Sequence, residues 1–206
     1  MNDVDKSLKS EATAGPNARR HVRADAQRNI DSILRTAAES FASSGVDVPI
    51  RDIADKAGVG IGTLYRHFPT RSDLIVAVFH KEVDECVTCL QTMAASYAPV
   101  DALTRWVASY VDFIVARRGL AAAMNSGDPA LENLPAYFQQ RLSAGLQDLL
   151  DRAANEGEIK GSAKAHELLH GVAMLCVPPS CGEPTDPQRM AGLLVNGLRF
   201  GAVKDH

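Results

Sequence analysis

Apolar residues recur along most of this chain at the three- and four-residue intervals that place them on one side of an α-helix. The first such segment runs from about Ala24 to Ser44 and ends before a glycine. No segment shows the alternation of apolar and polar residues that is typical of a strand. Residues 1–22 have no apolar periodicity and contain Gly15-Pro16, so they are predicted to form a disordered, basic arm.

Two short amphipathic segments follow, separated by a tight turn. The second helix is predicted to begin after Pro49, because a missing N–H costs nothing in a first helical turn. It is predicted to end at Gly58, which can adopt the left-handed conformation that closes a helix. The third helix is predicted over about 61–68, with Ile61, Leu64 and Phe68 turned inward. This arrangement predicts a helix-turn-helix, in which the second helix enters the major groove of DNA.

The remainder of the chain is predicted to form further helices, separated by prolines and glycines. They cover about 72–96, 101–119, 136–155, 162–177 and 187–198. The predicted fold class is therefore all-α with about nine helices. An N-terminal three-helix helix-turn-helix domain over residues 23–70 is joined to a C-terminal helical bundle over residues 71–206.

Charge is distributed unevenly along the chain. The formal net charge is −3, yet residues 19–71 contain nine Arg and Lys against six acidic residues, and residues from 81 onward contain 11 basic and 15 acidic residues. A basic N-terminal third on an acidic remainder is typical of a DNA-binding head on a body that does not bind DNA. The polar first residues, and the lack of an apolar run of about 18 residues, predict a cytoplasmic protein.

The outward side of the third helix carries the candidate DNA contacts. Thr63 can touch a thymine methyl group or a phosphate, and Tyr65 and His67 can donate to phosphates. Arg66 can contact either guanine, with about 1–3 kcal/mol of discrimination, or a phosphate. Glycines at the start of the helix permit close approach to the DNA backbone. The predicted DNA-binding residues are Arg23, Arg51, Gly60, Ile61, Gly62, Thr63, Tyr65, Arg66, His67 and Arg71.

The string GVDVPIRDIADKAGVGIGTLYRHFPTRSDL resembles the DNA-binding domain of the tetracycline-repressor (TetR) family of regulators. The stretch DALTRWVASYVDFIVARRGL is similar to the effector domains of that family's SbtR-like members. The resemblance implies a ligand-responsive repressor: a homodimer that binds a palindromic operator on double-stranded DNA and releases it when a small molecule occupies the C-terminal bundle. Pro49 departs from the family's pattern, since many relatives have Ser or Thr there and gain a phosphate contact.

The resemblance also assigns two roles to the C-terminal bundle. A ligand cavity is expected among aromatic residues and methionines, although such stripes at helical spacing are more often plain core. The candidate ligand-binding residues are Met93, Trp106, Tyr110, Phe113, Met124, Tyr137, Phe138 and Met174. The last two helices are expected to form the dimer contact, and the candidate residues are Leu168, Val172, Leu193, Leu194 and Leu198.

An alternative function is a thiol- or metal-responsive regulator triggered at Cys86 and Cys89, one helical turn apart, or at Cys181. Buried structural thiols are the competing interpretation, and two cysteines at this spacing do not define a metal site. The sequence contains no phosphate-cradling glycine loop, metal-hydrolase spacing or nucleophile motif. It therefore predicts neither an enzyme nor a cofactor.

Overall fold

The computed structural model of the protein describes residues 16–120, 127–160, 163–178 and 185–200, with side chains from residue 25 onward. Every regular element in these ranges is a helix, which confirms the predicted all-α class. Eight helices lie wholly within them, and residues 118–120 are helical as well. The helices are α1 (Pro16–Ser44), α2 (Ile50–Ala57), α3 (Ile61–His67), α4 (Arg71–Ser96), α5 (Pro99–Ala116), α6 (Leu134–Asn155), α7 (Ala165–Leu175) and α8 (Pro187–Phe200).

Helix α1 begins earlier than the sequence pattern predicts. It starts at Pro16, so the prediction of a disordered arm is wrong for residues 16–22. Proline suits the first turn of a helix, and the alanines and arginines that follow have high helix propensity. Amphipathic spacing, from which the boundary was predicted, is needed only where the helix packs on a core. Residues 1–15 lie outside the described part of the chain.

The helices enclose two separate hydrophobic cores. The head core consists of buried residues of α1, α2, α3 and the first half of α4, together with Leu120, Leu131 and Leu134. The body core consists of buried residues of the second half of α4 and of α5 to α8. Helix α4 contacts α1, α5 and α6, and its two halves contribute to different cores.

Local capping fixes where the short helices begin and end. Gly58 has φ +71° and lies at the C-terminus of α2, as the sequence predicts. Thr70 and Asp73 form a capping box at the start of α4, in which the Thr70 side chain accepts from the Asp73 N–H and the Asp73 carboxylate accepts from the Thr70 N–H. None of the described helices combines the length and apolarity that crossing a bilayer requires.

The head and the body meet closely at Gly119. A Cβ atom added there would lie 3.0 Å from the backbone oxygen of Phe41 and 3.2 Å from the Cα of Gly45, both at the end of α1. These are backbone atoms, so they cannot rotate away as a side chain would. The absence of a side chain at Gly119 is what permits this approach.

We expect Gly119→Ala to destabilise the protein by about 1–3 kcal/mol, because the added methyl group must push the end of α1 away. Urea unfolding followed by circular dichroism measures this change. Gly145→Ala is the control, since its Cβ would lie 3.2 Å from a side-chain methyl carbon of Leu90 rather than from backbone, and alanine has the higher helix propensity. Equal stability of the two variants would contradict the proposed close contact.

Candidate nucleic-acid interface

Helix α3 is held against the head by one side only. Leu64 is fully buried and Phe68 nearly so, and both belong to the head core. Tyr65 is 47% exposed, Gly62 and Arg66 are exposed, and Thr63 and His67 are half-buried. The polar side of α3 is therefore turned outward, as the sequence predicts.

Ile61 was expected to turn inward, and this expectation is wrong: it is 36% exposed. It occupies the first turn of α3, where Gly60 is the N-cap residue and the chain has only just left the α2–α3 turn. The head core at this point is closed instead by Ile53 and Ala54 of α2, which are fully buried. Ile61 thus adds an apolar group to the outward surface.

The orientation of α2 relative to α1 and α3 is fixed by hydrogen bonds at its C-terminus. The Ser32 hydroxyl of α1 donates to the carbonyl of Ala57 at 3.0 Å, which provides a partner for one of the terminal carbonyls of α2. The Val59 N–H donates to the carbonyl of Ala54 at 3.0 Å and closes the turn. The result is two short helices joined at a rigid corner, the geometry of a helix-turn-helix.

Arg71 lies in a different setting from the one the sequence suggests. Its guanidinium donates to the carbonyl of Val46 and, at 2.8 Å, to that of Val48. The side chain is half-buried and holds the loop that leads into α2. These contacts give Arg71 a structural role, while its predicted phosphate contact stays a prediction.

The remaining candidate contacts are distributed around this surface. Arg51 is exposed on α2. Pro49 precedes α2 without a side-chain hydrogen bond to the helix, as expected for proline. Arg23 falls within α1, but its side chain lies outside the described part of the chain.

Comparison with known proteins identifies this arrangement. Residues 33–78 match the model for the tetR family of bacterial regulatory proteins, and residues 98–200 match the C-terminal domain of SbtR-like transcriptional regulators. The chain belongs to the tetR family. It is a DNA-binding transcriptional regulator with a helix-turn-helix head, and the resemblance noted from the sequence is confirmed for both parts.

Three similar proteins illustrate the relationship of this tetR-family chain to known members. A TetR transcription regulatory protein from Mycobacterium vanbaalenii has a crystal structure with a TM-score of 0.69 and 32% identity, covering 87% of this chain and 99% of that one. The crystal structure of a TetR transcriptional regulator from Streptomyces coelicolor has a TM-score of 0.66 and 31% identity, covering 84% of this chain and 99% of that one. An HTH-type transcriptional regulator of Staphylococcus aureus is 28% identical over 130 residues, which are 62% of this chain and 70% of that protein.

In the body of this tetR-family protein, four of the predicted ligand-binding residues form one aromatic cluster. Trp106 stacks on Tyr110 with ring centroids 5.2 Å apart, Tyr110 lies 5.6 Å from Phe138, and Phe138 lies 6.0 Å from Phe113. The Trp106 indole donates to the carbonyl of Cys86 at 3.4 Å. The Tyr110 hydroxyl donates to a backbone carbonyl of α7 at the same distance, and burial raises its pKa. The cluster is thus packed ring against ring.

The other predicted ligand-binding residues are placed differently. Met93 is half-buried against the body core, and the rings of Tyr137 and His80 are tilted by 31° with their centroids 4.1 Å apart. Met174 is 55% exposed on α7 and lies outside the aromatic cluster, so its assignment to a ligand cavity stays a prediction. It lies two residues after the buried Val172, about 200° around the helix and so on the opposite side. Met124 lies outside the described residues.

A buried charged group beside the aromatic cluster was missed by the sequence analysis. Glu82 is buried on α4, and its Oε1 lies 2.6 Å from the Nε of Arg117 at the end of α5. The Arg117 guanidinium also lies over the ring of Phe113, 4.5 Å from its centroid. The signal was present in the sequence, because Glu82 shares its helical face with the apolar Phe79 and Cys86.

The cysteines do not form a reactive pair in this structure. Cys86 is buried, and its burial raises the pKa of the thiol to about 12. Cys89 is half-buried, and Cys176 is buried with a raised pKa that has the same cause. Thiols react as thiolates, so the surroundings of Cys86 disfavour a redox role there. Cys181 lies outside the described residues, and among those that are described no group of three potential ligands could hold a metal ion.

Two of the predicted dimer residues are buried within the chain itself. Leu168 and Val172 belong to the body core, so they are unavailable to a partner and their assignment is wrong. They face inward because α7 packs on both α5 and α6. Leu193 is 55% exposed, whereas Leu194 and Leu198 are half-buried against the same core.

The buried Glu82 gives a pH prediction. Burial raises its pKa above the ordinary 4.5, Glu85 adds to the rise, and Arg117 opposes it. The folded state therefore binds this proton more tightly than the unfolded state, so stability increases as the pH falls through the raised pKa toward 4.5.

Urea unfolding of the protein and of Glu82→Gln between pH 7.5 and 5 tests this prediction. The stability of the unmodified protein relative to the variant should rise on acidification. Glu156→Gln, an exposed position beyond α6, should show no such difference. A relative stability that is flat or falls on acidification would refute the raised pKa.

Proposed function

We propose that the protein is a ligand-responsive transcriptional repressor that binds a palindromic operator as a homodimer and releases it when a small molecule binds the body. The observation that carries the proposal is the outward face of α3, where Tyr65 and Arg66 stand exposed beside two glycines. A helix presented in this way is the element that reads the major groove in helix-turn-helix proteins. Repression and ligand response are the mode of action implied by the resemblance to the tetracycline-repressor family.

Exposed apolar residues on and beside the last two helices support dimerisation. On α8, Met190, Leu193 and Phe200 are exposed. Leu193 lies three residues after Met190 and seven residues before Phe200, which places all three on one side of the helix. Met174, near the end of α7, and Val177, just beyond it, are exposed three residues apart. Helices α7 and α8 pack against each other. Exposed apolar surface of this kind is typical of a protein–protein interface.

A two-fold axis through this surface would give both subunits the same contacts. It would also place two copies of α3 in one particle, as a palindromic operator requires. The half-site centres should then lie about 34–36 Å apart or a multiple of that distance, since successive major grooves face the same way at that interval. Operator affinity should fall steeply with salt, because contacts to phosphates release counterions.

The DNA-binding role is tested with matched pairs of exposed residues. Tyr65→Ala combined with Arg66→Ala should lower operator affinity about tenfold to a hundredfold, because side chains that contact bases or phosphates are lost. Tyr97→Ala combined with Arg105→Ala is the control, since Tyr97 is 44% exposed and Arg105 stacks over its ring on the body. Fluorescence anisotropy on a palindrome selected from random duplexes gives both affinities at one salt concentration. Equal losses of operator affinity in the two variants, or no loss in the Tyr65/Arg66 variant, would reject α3 as the helix that reads the operator.

Dimerisation is tested by placing a charge on the exposed stripe. Leu193→Glu should shift the protein to monomers in sedimentation velocity and weaken operator binding, because a buried carboxylate without a partner is costly at an interface. Ala144→Glu adds the same charge at an exposed position of α6 and should leave the dimer intact. A dimer that survives Leu193→Glu would show that the subunits associate through another surface.

A further inference from the structure

We infer that Glu82 anchors a small organic cation, an amine or guanidinium compound with an apolar portion, which acts as the effector by replacing Arg117 beside the carboxylate. The inference rests on the proposed function, because it names the chemistry of the effector. It is argued from an incompletely paired buried carboxylate, from the internal cation beside it and from the aromatic rings around both.

The Glu82 carboxylate is buried without full hydrogen bonding. The residue is 5% exposed, and its Oε2 has no hydrogen-bond partner among the residues that the structure describes. A buried acceptor without a donor destabilises the folded state, and a buried charge needs both a counter-ion and hydrogen bonds. A ligand ammonium group carries several N–H donors and would supply both to Oε2.

Arg117 already occupies the position that such a cation would take. Its Nε lies 2.6 Å from Oε1 of Glu82, and its guanidinium lies over the Phe113 ring. A carboxylate combined with an aromatic face is an environment that recognises organic cations. The Arg117 side chain is 29% exposed, whereas that of Glu82 is 6% exposed. Arg117 can therefore turn into solvent when a ligand replaces it, while Glu82 stays in place.

The surrounding rings suit the apolar portion of the ligand. The Phe113 ring, which lies beneath the guanidinium, is 6.0 Å from the ring of Phe138 and 6.4 Å from that of Tyr110. Trp106, the single tryptophan of the chain, stacks on Tyr110 and is fully buried. Its fluorescence consequently reports on any rearrangement of this cluster.

Replacement of Arg117 would also change how the body packs against the DNA-binding head. Arg117 is the C-cap residue of α5, two residues before Gly119, where an added Cβ atom would lie 3.0 Å from the backbone oxygen of Phe41 in α1. A cation that frees Arg117 from Glu82 removes the ion pair that ties the end of α5 to α4. The contact between Gly119 and α1 would then shift, and operator affinity with it.

The experiment uses the full-length protein and three probes of similar shape: 2-phenylethylamine, the neutral 2-phenylethanol and the anion phenylacetate. Trp106 fluorescence and calorimetry measure binding at constant ionic strength. We expect saturable binding of the amine at least tenfold tighter than that of the alcohol or the acid. Glu82→Gln should weaken amine binding at least tenfold, and Glu156→Gln, the same change at an exposed position beyond α6, should leave it unaltered.

Arg117→Gln provides a second variant that does not depend on the folding of Glu82→Gln. It removes the internal competitor, so amine affinity should rise several-fold. Any of three results would overturn the inference: no saturable amine binding, amine binding that Glu82→Gln leaves intact, or a preference for the alcohol or the acid. An unchanged or lower amine affinity in Arg117→Gln would overturn the replacement step.

Operator binding measured in the same samples separates this inference from the proposed function. Release of the operator by the amine in the unmodified protein, but not in Glu82→Gln, supports both. A protein that binds its operator and takes up no amine contradicts the cation site alone. A protein that binds the amine and no operator contradicts the proposed function alone.

Discussion

The structure depends on the sharing of one helix between two hydrophobic cores. Helix α4 buries Leu74, Ile75 and Val78 in the head and Cys86 and Leu90 in the body. Burial of apolar surface is the dominant stabilising term in folding, so neither core can move without a change in the packing of α4. The position of α3 relative to the body is thereby set by packing, along α4 and around Gly119 and Leu120, rather than by a flexible linker.

Most of the fold could be predicted from the sequence, because helical periodicity is a local signal that burial enforces. The turn between α2 and α3 was predicted from Gly58, which has the expected positive φ, and the inward side of α3 from Leu64 and Phe68. The boundaries of the helices were harder to predict. The start of α1 at Pro16 was missed because helix propensity alone extends the helix beyond its packed face.

The candidate sites were predicted less completely, since they depend on which neighbour covers each face. Leu168, Val172 and Leu193 show the same apolar helical periodicity in the sequence. In the structure, Leu168 and Val172 are buried within the chain, whereas Leu193 is exposed. Met174 differs from the other predicted ligand-binding residues for the same reason. Glu82 was overlooked because a charged residue is normally assigned to the surface, and its partner Arg117 lies on another helix.

The two hydrogen bonds from Arg71 to the carbonyls of Val46 and Val48 have a mechanical consequence. Arg71 is the first residue of α4, and the loop whose carbonyls accept its hydrogen bonds leads directly into α2. The loop is therefore held to the N-terminal end of α4 and would move with α4 if that helix rotated. In a two-fold assembly, a small rotation of α4 in each subunit would produce a larger displacement of α3, because α3 lies some distance from Arg71. In the proposed dimer, the separation of the two α3 helices would then decide whether both fit one duplex.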